Sequence, residues 1–210
     1  MIWRWLPLIG ILLFLGDICW RSWWQRRRYG SRGVLLFQSD RWQEKLRDVL
    51  AVVLVLVLVG QAVVAAIWTK SPAPVDASGH WVAEIWHASG AALLFGGIAL
   101  LVAAQLNLGA SWRIGIDEGS RPGLVTSGFY HFCRNPIFFA VLLMLAGYTL
   151  LLPTRLSLVL LVGAFIGLRQ QVLTEEVYLV RTYGDTYRAY ALHVGRFVPG
   201  VGKLRGNTIR

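Results

Sequence analysis

The stretch GFYHFCRNP, Gly128 to Pro136, sets a histidine, a cysteine, an arginine and an asparagine directly ahead of a proline and an apolar run. Beyond the next two apolar runs stand twin acids, Glu175 and Glu176. A guanidinium and paired carboxylates can bind and orient groups of opposite charge. Carboxylates within about two helical turns of a membrane exit are costly unless they meet a cation, and Arg134 is the obvious partner. Cys133 could be a nucleophile, but it has no triad-like partner and reads as a buried cysteine. His131 has no fixed neighbour that would make it a base and reads as an interfacial side chain. The histidines 80, 87, 131 and 193 show no HxxxH or HExxH spacing, and Cys19 and Cys133 form no CxxC pair. No metal site and no disulfide framework are expected.

Local grammar positions these groups. Pro122 and Gly123 mark a turn, Thr126 or Ser127 can cap, and Gly128 permits a tight path. Asn135 precedes a proline and is biased away from helix, whereas Pro136 suits a first helical turn. In the tail, Gln171 and Glu175 share a face at i, i+4. Gly184 reads as a helix end and Asp185 as a new N-cap. Tyr187, Tyr190 and Val194 form an apolar or aromatic stripe. The plain alternative is a helix start with a snorkelling arginine, followed by an amphipathic helix lying on the cytoplasmic leaflet.

Composition says what surrounds them. Of 210 residues, 56% are hydrophobic and only 15% charged, with ten tryptophans and a mean hydropathy of +0.54. That is a membrane composition. The net charge of +10 sits in clusters between apolar runs, which suits lipid headgroups and argues against nucleic acid. Runs of roughly 20 apolar residues span a bilayer. The clearest is Val49 to Trp68; others are Ile85 to Leu108, Ile137 to Leu152, and Leu156 to Leu168 with a helical continuation. The segment from Trp5 to Trp20 has no small-x-small cleavage site, and it reads as a retained, short, tilted span. The expected fold is all-α: a polytopic membrane protein with about five spans and a cytoplasmic C-terminal helical region.

Basic residues orient it. Arg21, Arg26, Arg27, Arg28, Arg32, Arg41, Lys45 and Arg47 lie between the first two spans. Arg113, Arg121 and Arg134 precede the fourth span, and Arg169, Arg181, Arg188, Arg196, Lys203, Arg205 and Arg210 follow the fifth. The intervening loops carry Lys70 or Arg155 alone. The alternation puts the N-terminus outside and the C-terminus in the cytoplasm. The signature stretch and the tail then share one side, joined by a helical hairpin. The Arg21–Arg47 stretch reads as a solvated topogenic loop, with anionic lipid binding as the alternative.

Two segments together resemble a known family. LVTSGFYHFCRNPIFF is similar to the L-x-T-x-G-P-Y-x-x-x-R-[HN]-P-x-Y signature of isoprenylcysteine carboxyl methyltransferases and their bacterial relatives. EEVYLVRTYGDTYRAYALHVGRFVPG resembles that family's E-E-x-x-L-x-x-x-[FY]-G-x-x-Y-x-x-Y-x-x-x-V-x-R-[FY]-x-P tail. The resemblance covers roughly Trp112 to Pro199, with SWRIGID, Ser111 to Asp117, similar to the family's approach to the signature. It implies an integral membrane methyltransferase using S-adenosylmethionine, in a bacterial inner membrane. It further implies that Gly123, Leu124, Val125, Tyr130, Asn135, Pro136, Ile137 and Phe138 line the cofactor, with Glu175 touching it from the other side. Arg134 matches the signature arginine and Glu176 the second glutamate. Phe129 and Phe138 depart from the family's proline and tyrosine. Asn135 stands where eukaryotic members have histidine, and Gln171 where they carry an arginine near the substrate.

These expectations frame a mechanism. Methyl transfer from a sulfonium is an in-line displacement, and an ionised carboxylate or thiolate acceptor needs no general base. Alignment is the protein's main task. Catalytic roles are expected for Arg134, holding the methionine carboxylate or an anionic acceptor, and for Glu176, orienting Arg134. The chain divides into an N-terminal membrane region, 1–108, with a basic loop at 21–48, and a catalytic region, 109–210. The acceptor is a lipid-like or small apolar carboxylate, thiol or amine reached from the bilayer. The alternatives are an NADPH-dependent sterol-type reductase, whose R-H-x-N-Y stretch and Lys-Cys pair are missing here, and a non-enzymatic accessory protein that keeps the fold.

Overall fold

A computed structural model describes residues 2–30, 33–34, 36–37, 42–67, 80–112 and 123–204. Five α-helices account for most of them, and the described residues form no strand: α1 Leu6–Tyr29, α2 Trp42–Ile67, α3 His80–Leu108, α4 Pro136–Leu151 and α5 Arg155–His193. Four are long and apolar enough to cross a membrane, and α4 is a shorter apolar helix of 16 residues. The chain is an all-α polytopic membrane protein. Pro122, the basic residues Arg32, Arg41, Arg113, Arg121, Arg205 and Arg210, and the loop at Lys70 lie outside the described residues.

The first helix departs from its expected form. It runs through Arg21 and on to Tyr29, so the basic segment begins as helix rather than loop. Gly30 closes it in the left-handed region at φ 67°, its N–H donating to Arg26 O at 3.1 Å. The cause of the extra length lies in α3. Arg21, fully buried, donates through Nη2 to the carbonyls of Gly109 at 2.6 Å and Gln105 at 3.3 Å. Gln25 donates to Ala110 O at 2.9 Å, and Gln105 donates to Asp17 at 2.8 Å. Carbonyls at a helix C-terminus lack intrahelical donors, and a guanidinium satisfies them well. The Arg21 guanidinium lies over the Trp24 and Trp112 rings, 4.7 and 4.9 Å from their centroids. Arg21 is thus a buried strut, not a solvated topogenic charge.

Helices α3 and α4 meet backbone to backbone. A Cβ on Gly147 would fall 2.4 Å from Leu94 N and 2.5 Å from Gly90 O, and one on Gly97 would fall 2.6 Å from Met144 Cγ. Small residues allow this approach where lipid supplies no hydrophobic drive between helices. The expected division after residue 108 falls between α3 and α4. At the other end of the bundle, Gln61 of α2 donates to Thr154 Oγ1 at 2.5 Å and to Ser157 Oγ at 2.9 Å, and Tyr148 OH donates to Leu58 O at 2.9 Å. Thr154 caps α5, accepting from Ser157 N. Most of the other α2 side chains, including Val49, Leu50, Val53, Leu56 and Val64, are exposed, as are Leu158, Val159, Val162 and Ile166 of α5. These faces suit lipid.

α5, with 39 residues, is about 58 Å long, nearly twice a bilayer's hydrocarbon core. Gly184, at φ 54° and ψ −128°, kinks it, so its last segment, 185–193, takes its own direction toward the signature stretch.

Candidate functional site

The signature stretch is fixed from three sides. Gly128, at φ 62°, opens a 3-10 turn, Gly128–His131. The side chain of Asn107, near the end of α3, accepts from Phe129 N at 2.9 Å. A Cβ on Gly128 would come within 2.1 Å of Asn107 Oδ1, so glycine is required for the approach as well as the dihedral. Ser127 occupies the N-cap position of the turn but makes no side-chain cap bond. Pro136 then begins α4, with Asn135 held outside helical geometry at φ −130°, ψ 58°.

The tail closes over this stretch. Cys133 and Gly195 form a parallel bridge. Arg134 N donates to Gly195 O at 2.9 Å, and Asn135 N and Nδ2 both donate to Arg196 O, at 3.1 and 3.0 Å. Gly195 is sterically required, since a Cβ would meet Val198 O at 2.1 Å and Val201 O at 2.8 Å. The hydroxyl of Tyr190 donates to Tyr130 O, and Leu204 N donates to Ala191 O.

At the centre is a buried ionic knot. Arg134 Nη2 lies 3.1 Å from Glu176 Oε1, with the two side chains 1% and 5% exposed. Arg196 grips the same carboxylate bidentately, Nε to Oε1 at 2.9 Å and Nη2 to Oε2 at 2.8 Å. Arg134 also donates to Gly202 O at 2.7 Å and to Tyr187 OH at 3.4 Å. Its Nε has no partner and is sealed from solvent. The guanidinium is therefore turned inward, onto protein groups. The hydrogen bond to Glu176 pushes the Arg196 guanidinium above its ordinary range. Three elements far apart in sequence are tied at one carboxylate: the signature stretch, α5 and the tail.

Glu175 turns elsewhere. It is half-buried and accepts from Gln171 Nε2 at 2.6 Å. Gln171 in turn accepts from Arg47 of α2. The Glu175 charge reaches Tyr130: burial first, then Cys133, Tyr190 and Glu175, hold that phenol protonated well above its usual range. Gly123 is exposed, and a Cβ there would meet nothing within 4 Å. Leu124 is half-buried against Val180, Tyr187 and Ala191. Val125, Asn135, Ile137 and Phe138 are half-buried; Tyr130 and Pro136 are buried. Ile137 packs toward the α3–α4 core rather than the tail. Burial raises the Cys133 thiol above its ordinary pKa, so it is a poor nucleophile at neutral pH.

Residues 85–186 match the phospholipid methyltransferase family model (PEMT). That family includes the isoprenylcysteine carboxyl methyltransferases, consistent with the resemblance carried by the signature and tail. The match takes in α4, the signature stretch and both glutamates, and it supports a membrane methyltransferase. It covers just under half of the chain and leaves out α1, α2 and Arg196. No curated protein matches closely enough to be called a relative.

The residues that sequence reasoning passed over are Arg196, Asn107, Arg21 and Gln25. Arg196 sat inside the tail motif, yet no spacing rule pointed it at Glu176. Arg21 and Gln25 bond to partners 84 to 88 residues away, and local pattern carries no signal of that.

Proposed function

We propose that this protein is an S-adenosylmethionine-dependent methyltransferase acting on a lipid-like or small apolar acceptor at the cytoplasmic leaflet of a bacterial inner membrane. The observation that carries the reading is the knot at Glu176. It holds the signature stretch against the tail, while the neighbouring carboxylate of Glu175 is half-buried and bonded to Gln171. The residues present fit the cofactor. Glu175 offers a half-buried carboxylate for an ammonium, a hydroxyl or the field of a sulfonium. Gly123 leaves its backbone open, and Leu124, Val125 and Phe138 supply apolar walls, with Tyr130, Asn135 and Pro136 completing that side; Ile137, packed into the α3–α4 core, would back that wall rather than line it.

Bound S-adenosylmethionine would supply an electrophilic methyl group on a positively charged sulfur. The chain's own residues then have three tasks. Glu175 orients the cofactor by charge and hydrogen bonding, itself steadied by Gln171. Arg134 and Glu176, expected to act catalytically, serve in this geometry as positioning residues, because the Arg134 Nη atoms and the Glu176 carboxylate are engaged with each other, with Arg196 and with the tail. The knot fixes the backbone of Arg134 and Asn135, and with it the wall at Asn135 to Phe138. The apolar surroundings exclude water, so that an acceptor carboxylate or thiolate attacks in line. Fixing two reactants in this way can lower the barrier by up to about 7–11 kcal/mol. The functional division is a catalytic region, 109–210, carried on an N-terminal membrane region, 1–108, with the N-terminus outside.

The test is transfer of a labelled methyl group from S-adenosylmethionine into a membrane extract, followed by identification of the labelled product. Saturable binding of NADPH without binding of S-adenosylmethionine would replace this reading with the reductase. Binding of neither would leave an accessory protein.

A further inference from the structure

A second polar feature lies at the end of α1, on side chains that take no part in the knot at Glu176. Trp23, Trp24, Arg27, Arg28 and Tyr29 line a shallow concave surface at the end of that helix. Its depth follows from helix geometry. From Leu6 to Trp24 the helix rises about 27 Å, close to the ~30 Å hydrocarbon thickness of a bilayer. Trp20 and Trp24 stack at 6.0 Å, where an aromatic belt belongs. Arg27 and Arg28 follow within about one turn, at the level of lipid phosphates.

The charge at this level is unbalanced. Among the described residues no carboxylate pairs with Arg26, Arg27 or Arg28, whereas the buried arginines Arg134 and Arg196 share Glu176. The Arg27 guanidinium lies over the Trp23 ring, 4.8 Å from its centroid. A guanidinium held by its face keeps its in-plane N–H donors free, in the fork that matches phosphate oxygens. Tyr29, held edge-on by Trp24, adds a hydroxyl at the rim.

We infer that this surface is a binding site for the headgroup of an anionic phospholipid, separate from the methyl-transfer site. Arg27 and Arg28 hold the phosphate, and Trp23 and Trp24 seat the glycerol and upper acyl chains. The inference does not depend on the proposed enzymatic activity.

The experiment is native mass spectrometry of the purified full chain, titrated separately with phosphatidylglycerol and phosphatidylcholine. Wild type is expected to retain one phosphatidylglycerol in preference to phosphatidylcholine. Arg27→Gln with Arg28→Gln should weaken that binding about 30-fold. Arg169→Gln with Arg181→Gln removes the same charge from exposed positions on α5 and should change it less than about twofold. Equal losses in the two pairs would mean diffuse surface attraction, and no loss in the first pair would mean no site; either overturns the inference. Inorganic phosphate at millimolar concentration should not displace the lipid, and displacement would make the occupant a free anion instead. Should the glutamine pair fail to fold, Arg27→Lys with Arg28→Lys is decisive. It keeps the charge but loses the planar fork, so unchanged affinity refutes the site.

Discussion

Glu176→Gln is the sharpest probe of the knot. The carboxylate makes three charge-assisted contacts, one to Arg134 at 3.1 Å and two to Arg196 at 2.9 and 2.8 Å. Glutamine is nearly isosteric but keeps a single acceptor oxygen. Its amide would turn two N–H donors toward guanidiniums that can only donate. Arg134, 1% exposed, would then be a buried cation without a counter-ion. Breaking one partner of a buried pair costs about 3–5 kcal/mol. For a chain of this size each kcal/mol moves the melting temperature by about 2–4 °C, so a fall of about 6–20 °C is expected. The assay is thermal unfolding in detergent, followed by tryptophan fluorescence and by size-exclusion recovery. Limited proteolysis adds a local readout, because the tail after His193 should become cleavable before the helices melt. A fall below about 2 °C, with a tail as resistant as wild type, would refute the idea that this carboxylate holds the tail to the signature stretch.

Other expectations separate the proposed cofactor wall from the scaffold. Glu175→Gln should weaken S-adenosylmethionine binding about 10- to 150-fold, the worth of a hydrogen bond to a charged group, measured by calorimetry, while melting stays close to wild type. Arg134→Lys loses the planar fork that serves Glu176, Gly202 and Tyr187 together, and methyl transfer in detergent should fall sharply; normal turnover would remove Arg134 from the mechanism. Gly147→Ala places a methyl group against the α3 backbone and should cost about 1–3 kcal/mol in thermal unfolding, because neither helix can give way by rotamer change. In a Cys19→Ser background, Cys133 should react with maleimide more slowly than a free thiol. Its rate should still be climbing at pH values where the free thiol has levelled off, since a raised pKa leaves less thiolate at any given pH.

How much could be read in advance differs from element to element. The apolar helices α2 to α5 were legible because a long run of apolar residues is what a bilayer requires, although α4 is shorter than the other four, and Pro136 marks the start of α4 as its fixed φ demands. The length of α1 was not, because Asp17, Arg21 and Gln25 look like the polar end of a span until their α3 partners are known. The proximity of Arg134 and Glu176 could be argued from a hairpin that returns the chain to one membrane face. The order of the knot could not. Glu175 and Glu176 are neighbours about 100° apart on a helix, so one faces the guanidiniums and the other Gln171. The third member, Arg196, is placed by a glycine-dependent tail fold that no periodicity describes.

The closure of the signature stretch by the tail also sets an order for biosynthesis. Residues 128–135 leave the ribosome long before Glu176 and Gly202, yet Arg134 depends on the first for its counter-charge and on the second for a carbonyl partner. While α4 and α5 insert, that guanidinium must rest in the headgroup layer, paired with lipid or water. The nascent chain can close the tail over the signature stretch only after residue 202 has emerged. A stop codon or a bulky fusion placed shortly before that point would give a protein that inserts normally and never matures.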